Sequence, residues 1–206
     1  MNTTTKLVFA ENELVVPQLI DDETAEHHTS HIWPASITLS AYLQSVQQFY
    51  DQFNVKLGCG TGIPSLVLTK LHPNCHAVVT DRQSDVDVWR ERMRSIFIDI
   101  NKIQESSVTF LPLTWGSFDY ELLKWSRENS DLQLDSIIAA DIFYDSRDFD
   151  SILATVDFLF KRHKCSELLT AYHERDERHN LQQLMNKWSF KGELMDANPY
   201  ITQQII

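Results

Sequence analysis

Cysteine is scarce in this chain. Cys59, Cys75 and Cys165 are widely separated and odd in number, which excludes a disulfide framework and a paired-cysteine zinc site and suits a reducing, intracellular setting. Basic charge is also short: 18 Lys and Arg face 29 Asp and Glu, for a formal net charge of −11. Affinity for a phosphate backbone comes mainly from Lys and Arg, so direct nucleic-acid binding is not expected. A basic protein or peptide is the more compatible partner. No apolar run approaches membrane-spanning length, and the opening MNTTTKLVFAENELVV lacks the apolar stretch of a signal peptide. The expectation is a soluble monomer of the cytoplasm, the nucleus or both. A basic import cluster is missing too, but a domain this small can enter the nucleus by diffusion.

Glycine is the most informative scarcity. The chain has five, and three of them, Gly58, Gly60 and Gly62, fall at alternate positions in VKLGCGTGIPSL. Glycines so placed let a strand end, turn tightly and bring bare backbone N–H groups close to a ligand. Pro64 follows where a helix would begin, a position that needs no N–H. Loops of this kind serve nucleotides, dinucleotides and S-adenosylmethionine alike.

What surrounds the loop is a regular alternation. With 43% hydrophobic residues over 206 positions, one domain can bury a sufficient core. Leu7–Phe9 and Leu14–Val16 read as a small hairpin or an extended arm. Residues 1–30 form that arm, packed on a domain spanning 31–206. His27, His28 and His31 lack convincing metal partners and read as part of a solvated loop, so no metal is expected. Helices are predicted from Pro34 (Ile37, Leu39, Tyr42, Leu43, Val46 and Phe49 largely on one face), over Ile63–Leu71, after Ser84, from Phe118, from Phe149 and over Leu181–Trp188. Ser84 and Asp87 make a start like a capping box. Strands are predicted at Val55, Ala77–Asp81, Val108–Trp115, Leu134–Ala140 and Leu168–Tyr172. Pro112 places the third of these at a sheet edge. Phe190–Leu194 and Ile201–Ile206 read as a closing hairpin around a turn at Asp196–Pro199. The fold class is therefore α/β: a three-layer, Rossmann-like, seven-stranded, mostly parallel sheet with one antiparallel strand from the C-terminal hairpin. Its ligand belongs beyond the carboxyl ends of the strands, where Gly58, Asp81, Trp115, Asp141 and Tyr172 fall.

Asp81 closes the strand after the glycine loop. A carboxylate there can accept hydrogen bonds from both hydroxyls of a ribose. Four further pieces combine with it: Trp33-Pro34, the loop Gly58-Cys59-Gly60-Thr61-Gly62-Ile63-Pro64, Leu113-Thr114-Trp115-Gly116, and Asp141-Ile142-Phe143-Tyr144. Together they resemble the seven-β-strand (class I) protein N-methyltransferases over roughly Ile32 to Trp188.

That resemblance implies S-adenosylmethionine as cofactor and methyl transfer to a side-chain nitrogen of a basic protein, arginine in a histone-like substrate or else lysine, as in chaperone-type substrates. It implies that Gly58, Gly60 and Gly62 line the methionine end, that Asp81 holds the ribose, that Trp115 flanks the adenine and that Trp33 closes the pocket. Asp141 and Tyr144 would border the reacting centre, with Asp141 also in the cofactor site. Asp141, Asp145 and Glu174 are the strand-end carboxylates available to orient a substrate nitrogen. The chain departs from the family at Lys56, where an acid usually supports the methionine end. A cation there raises the alternative of a catalytically weak or inactive relative acting as a binding partner or adaptor, unless Lys56 turns away to solvent. A small-molecule methyltransferase and a nicotinamide oxidoreductase are further readings, the latter disfavoured by the closing hairpin and LTWG.

Overall fold

The computed structural model describes residues 2–9, 12–19, 31–46, 53–82, 86–165, 167–173 and 181–201. The N-terminal clusters form an antiparallel hairpin of β1 (Asn2–Phe9) and β2 (Asn12–Leu19), in register from Asn2 opposite Leu19 to Phe9 opposite Asn12. Helix α1 (Pro34–Ser45) leads to β3 (Phe53–Leu57), then α2 (Ile63–Leu71), β4 (His76–Asp81) and α3 (Val86–Arg94). The remainder runs β5 (Val108–Pro112), α4 (Tyr120–Glu128), β6 (Ser136–Ala140), α5 (Phe149–His163), β7 (Glu167–Ala171), α6 (Leu181–Lys187) and a short α7 (Asn198–Ile201).

Strands β3 to β7 make one parallel sheet in the order β5-β4-β3-β6-β7. Alternation along each strand sends neighbouring side chains to opposite faces. Val55, Leu57, Val78, Ile137 and Ala139 join Leu122, Trp125, Ile152, Leu153 and Val156 in a core beneath α4 and α5. Ala77 and Val79 face the other way, onto Ile63, Leu66, Val67, Trp89 and Met93. Ile138 and Leu169 share this second side with Leu39 and Leu43 of α1. The result is the expected three-layer α/β sandwich. Because successive crossovers leave β3 in opposite directions, the loops after β3, β4 and β6 open around a gap at their carboxyl ends.

The second face is completed by the hairpin, whose Leu7, Leu14 and Val16 are buried in its core. It is pinned by the end of the third helix. After Arg94 the chain widens into a π-helical turn, Ser95–Ile100, closed by the Asn101 N–H on the Ile96 carbonyl. Asn101 then pairs with the Val15 backbone in both directions, its Oδ1 accepting from Val15 N at 2.8 Å and its Nδ2 donating to Val15 O at 2.9 Å. A side chain that satisfies a strand's free edge in this way removes two unpaired backbone groups from the interior.

Two expectations need correction. The sheet holds five parallel strands among the described residues, not seven with an antiparallel member. The closing hairpin is also absent from the described part of its range. Residues 190–197 carry no strand, and Ile201 ends α7 rather than starting a strand, with 202–206 outside the described residues. The physical reason lies in the turn chemistry and in exposure. Asp196 Oδ1 accepts from the Asn198 N–H at 3.0 Å, an Asx turn that, with Pro199, starts a helix instead of a reversal. Leu194 is 93% exposed, so it packs against no strand of the sheet. Tyr200 docks α7 on Tyr42 of α1. Smaller differences follow from local signals. The strand at Val108 stops at Pro112, which takes the edge position paired with Asp81, and Asp119 caps α4 by accepting from Leu122 N at 3.0 Å. Phe49, Ser84 and Glu174 lie outside the described residues.

Candidate active site

One cavity of about 270 Å³ opens at the carboxyl ends of β3, β4 and β6, lined by residues from all three strand-end loops and from the approach to α1. The glycine loop forms its floor. Gly58 and Gly60 have φ of +55° and +53°, the left-handed region that side chains avoid. A Cβ on Gly58 would stand 2.9 Å from Ile142 Cγ2 and 3.0 Å from Trp115 Cζ2, so only glycine lets the indole pack this closely on the loop. The loop is held from below: Cys59 N–H donates to the Thr80 carbonyl and Thr80 Oγ1 donates to the Lys56 carbonyl, each at 2.8 Å.

Asp81 is 9% exposed and does more than end a strand. Its Oδ2 accepts the Gly60 N–H at 2.8 Å and its Oδ1 accepts the Arg82 N–H at 2.8 Å, so the carboxylate braces the glycine loop. Burial raises its pKa, and the two backbone donors, the Cys59 thiol and Lys56 oppose that rise. Next to it, burial and then the Asp81 charge push the Cys59 thiol well up, leaving it protonated and unreactive.

Asp141 follows β6 with φ of +55°. Asp tolerates this conformation better than most residues, and such strain gathers at functional sites. Its N–H donates to the Ala171 carbonyl at 2.7 Å, which ties the strained residue to the end of β7. Tyr144 is half exposed at the mouth of the cavity, its ring edge-on to Trp115 at 6.3 Å. Burial, followed by Asp148, raises the Tyr144 pKa and keeps it a phenol.

Of the residues singled out in the sequence, Trp33, Gly58, Gly60, Asp81, Trp115, Asp141 and Tyr144 all line this one cavity. Gly62 does not. It sits at the start of α2 with φ of +79°, where a Cβ would come within 2.8 Å of the Phe97 ring, so its glycine answers to backbone and packing. Asp145 is likewise outside the lining. Both its oxygens accept from the Arg147 guanidinium, which holds its carboxyl down at about 2.

Two lining residues were misjudged. His31, taken for part of a solvated loop, lines the cavity and meets the Trp33 ring edge-on at 4.6 Å. Its adjacency to Trp33-Pro34 was the available signal. Lys56 does not turn to solvent. It is 1% exposed, and its Nζ donates to the carbonyls of Leu57 at 2.8 Å and Gly58 at 3.1 Å.

Fold and site together define a nucleoside-binding α/β domain of the methyltransferase class. Over residues 16–188 the sequence matches the lysine methyltransferase family, and the chain belongs to it. It is 29% identical over 205 residues to methyltransferase-like protein 23 of Dictyostelium discoideum, covering 91% of this chain and 76% of that protein. A histone-arginine methyltransferase METTL23 of Xenopus laevis is 29% identical over 164 residues, covering 78% of this chain and 64% of that one. Among solved structures, the mitomycin 7-O-methyltransferase MmcR superposes with a TM-score of 0.46 at 15% identity, over 73% of this chain and 40% of its own. The chain is thus a protein methyltransferase, and its methyl donor is S-adenosylmethionine. The residues present fit that donor. A purine needs flat apolar walls, which Trp115 and Ile142 offer, and a ribose needs a buried acceptor, which Asp81 offers.

Proposed function

We propose that this protein transfers a methyl group to a side-chain nitrogen of a basic protein, arginine in a histone-like substrate before lysine. The observation that carries the reading is the convergence of Trp33, Asp81, Trp115, Asp141 and Tyr144 on one cavity beside the glycine loop. In this reading Asp81 accepts the ribose hydroxyls while bracing Gly60, Trp115 flanks the adenine, and Gly58 and Gly60 offer backbone to the methionine end. Trp33, with His31 against it, closes the site over the reacting centre. S-adenosylmethionine, when bound, supplies a methyl already activated on a sulfonium sulfur. The protein's task is therefore alignment of a nitrogen lone pair.

Asp141 is the residue assigned to that nitrogen. An arginine guanidinium stays charged at any physiological pH, so a fixed carboxylate must orient it and take a proton as transfer proceeds. Asp145 is already occupied by Arg147, which leaves Asp141 as the cavity's carboxylate beyond Asp81. Tyr144, held as a phenol at the rim, can accept from the incoming side chain. The name of the Xenopus relative supports arginine, and the family description supports lysine. Cytoplasm or nucleus, where histones are made and used, is the corresponding location. The adaptor alternative is weaker, because Lys56, its motive, is anchored on two carbonyls and leaves the cavity open.

Mass spectrometry of histones and of lysine-bearing proteins incubated with labelled donor tests this. Methylarginine is the expected product, and Asp141→Asn, which keeps the left-handed backbone, should lower kcat/KM by about 100-fold. Label confined to lysine would overturn the arginine assignment, and label on no protein would overturn the whole reading.

A further inference from the structure

The glycine loop is gripped by two opposite charges, and the proposed chemistry uses only one of them. Lys56 of β3 lies in register with Val79 of β4 and is 1% exposed. Its Nζ donates to the Leu57 carbonyl at 2.8 Å and to the Gly58 carbonyl at 3.1 Å. Asp81, at the end of β4, accepts the Gly60 N–H at 2.8 Å. The carbonyls that open the loop thus meet a cation, and an N–H two residues further on meets an anion. Hydrogen bonds to ionised groups are roughly twice as strong as neutral ones, so both ends of this short segment are firmly held. Thr80 ties the two strands together at the same level, donating to the Lys56 carbonyl and accepting the Cys59 N–H.

We propose that Lys56 is a positioning residue of the donor site: its ammonium clamps the carbonyl side of the glycine loop and is the counter-charge to Asp81, which braces the N–H side and receives the ribose. The inference rests on the donor assignment and deepens it. The family resemblance implies an acid at this position, supporting the methionine end; this chain instead sets a buried cation on the loop carbonyls. Removing one member of a pair of buried opposite charges leaves the other without compensation. Salt screens their interaction weakly, since both are walled off from solvent.

The electrostatics of the two groups are reciprocal. Burial raises the Asp81 pKa, and the Gly60 and Arg82 N–H groups, the Cys59 thiol and Lys56 oppose the rise. Burial lowers the Lys56 pKa to about 8, and Cys59 and Asp81 oppose the fall. Each charge therefore favours the ionised form of the other. An ionised carboxylate accepts at both oxygens, and protonation turns one of them into an O–H donor. Asp81 already serves Gly60 and Arg82, so loss of its charge deprives the ribose of an acceptor. The Cys59 thiol beside it is kept neutral by burial. Asp141 and Tyr144 after β6 and His31 before α1 complete the titratable lining, while α3 brings Trp89 and Met93, which carry no charge.

Calorimetric titration of the full chain with S-adenosylhomocysteine, which lacks the charged methyl of the donor, tests this in native protein and in Lys56→Met. The range from about pH 5.5 to about pH 7.5 keeps the native lysine charged. Lys56→Met should weaken binding about tenfold at the upper end of that range, and by more as pH falls. The loss grows because Asp81, without its counter-charge, takes up its proton at a higher pH than in the native protein. His31, Asp141 and Tyr144 are common to both proteins and cancel in the ratio of affinities. A loss of the same factor at every pH would make Lys56 a packing residue only; that result, like an unchanged affinity, would overturn the proposal. Lys56→Gln, neutral but still an N–H donor for the carbonyls, carries the same pH comparison where Lys56→Met does not fold. Failure of the native protein to bind the nucleoside would overturn the donor assignment and this inference with it.

Discussion

Lys56 shows how burial of one side chain ties stability to pH. Its pKa in the folded protein, about 8, lies below the ordinary 10.5 because burial disfavours the charged form. The unfolded chain therefore holds the proton over a range where the folded chain has released it, and stability rises with pH across that window. The contribution is fully present above 10.5 and is lost as pH falls through about 8. Urea unfolding at pH 7 and pH 10 should show native stability gaining on the order of 2 kcal/mol relative to Lys56→Met. A difference between native and variant that stays constant with pH would mean that the lysine titrates as if exposed. Asp81 carries the opposite sign: its raised pKa stabilises the fold at acid pH and loses that contribution as pH rises through the folded value. The loop it braces thus bears an electrostatic cost at neutral pH that the Gly60 and Arg82 donors partly offset.

Within the glycine loop, Gly58 and Gly62 do different work. Gly58 is glycine because Trp115 and Ile142 pack on it, and Gly62 because α2 starts there against Phe97. Gly62→Ala should cost about 1–3 kcal/mol of stability from its φ and the clash with Phe97, with nucleoside affinity changed by no more than about threefold. Gly58→Ala should instead push the Trp115 indole from the cavity wall and weaken nucleoside binding by about tenfold or more. Thermal unfolding and calorimetry on the two variants separate these effects. Loss of affinity in Gly62→Ala, with stability intact, would place that residue in the ligand site after all. The π-helical turn at Ser95–Ile100 is another local device. It delivers Asn101 to the hairpin, and so makes the N-terminal strands part of the second core.

At the scale of the molecule, a net charge of −11 gives a basic substrate a favourable long-range field. Affinity for a histone-tail peptide, followed by fluorescence anisotropy, should fall roughly tenfold between about 50 and 300 mM salt. An affinity independent of salt would assign recognition to apolar contacts alone. The sheet order places the cavity where β3 meets β6, with Asp141 in its lining and Tyr144 at its mouth.

Local and periodic features were legible in the chain itself. The alternation of strands and helices, the glycine turn and the acid ending β4 sit in segments whose own sequence dictates them, whereas Trp33, Trp115 and Asp141 were legible through the family resemblance. Hydrophobic period and turn chemistry act over a few residues and need no partner to be read. Three matters were decided only by tertiary structure. The C-terminal segment had a strand-like pattern, but among its described residues the Asp196 turn leads into a helix instead. His31 became a cavity residue because Trp33 holds it there. Lys56 read as a surface cation or a defect, yet it is buried and satisfied by carbonyls that exist in that position only when the loop after β3 is folded. Pairing, burial and field depend on residues far apart in sequence, and those are set when the layers close.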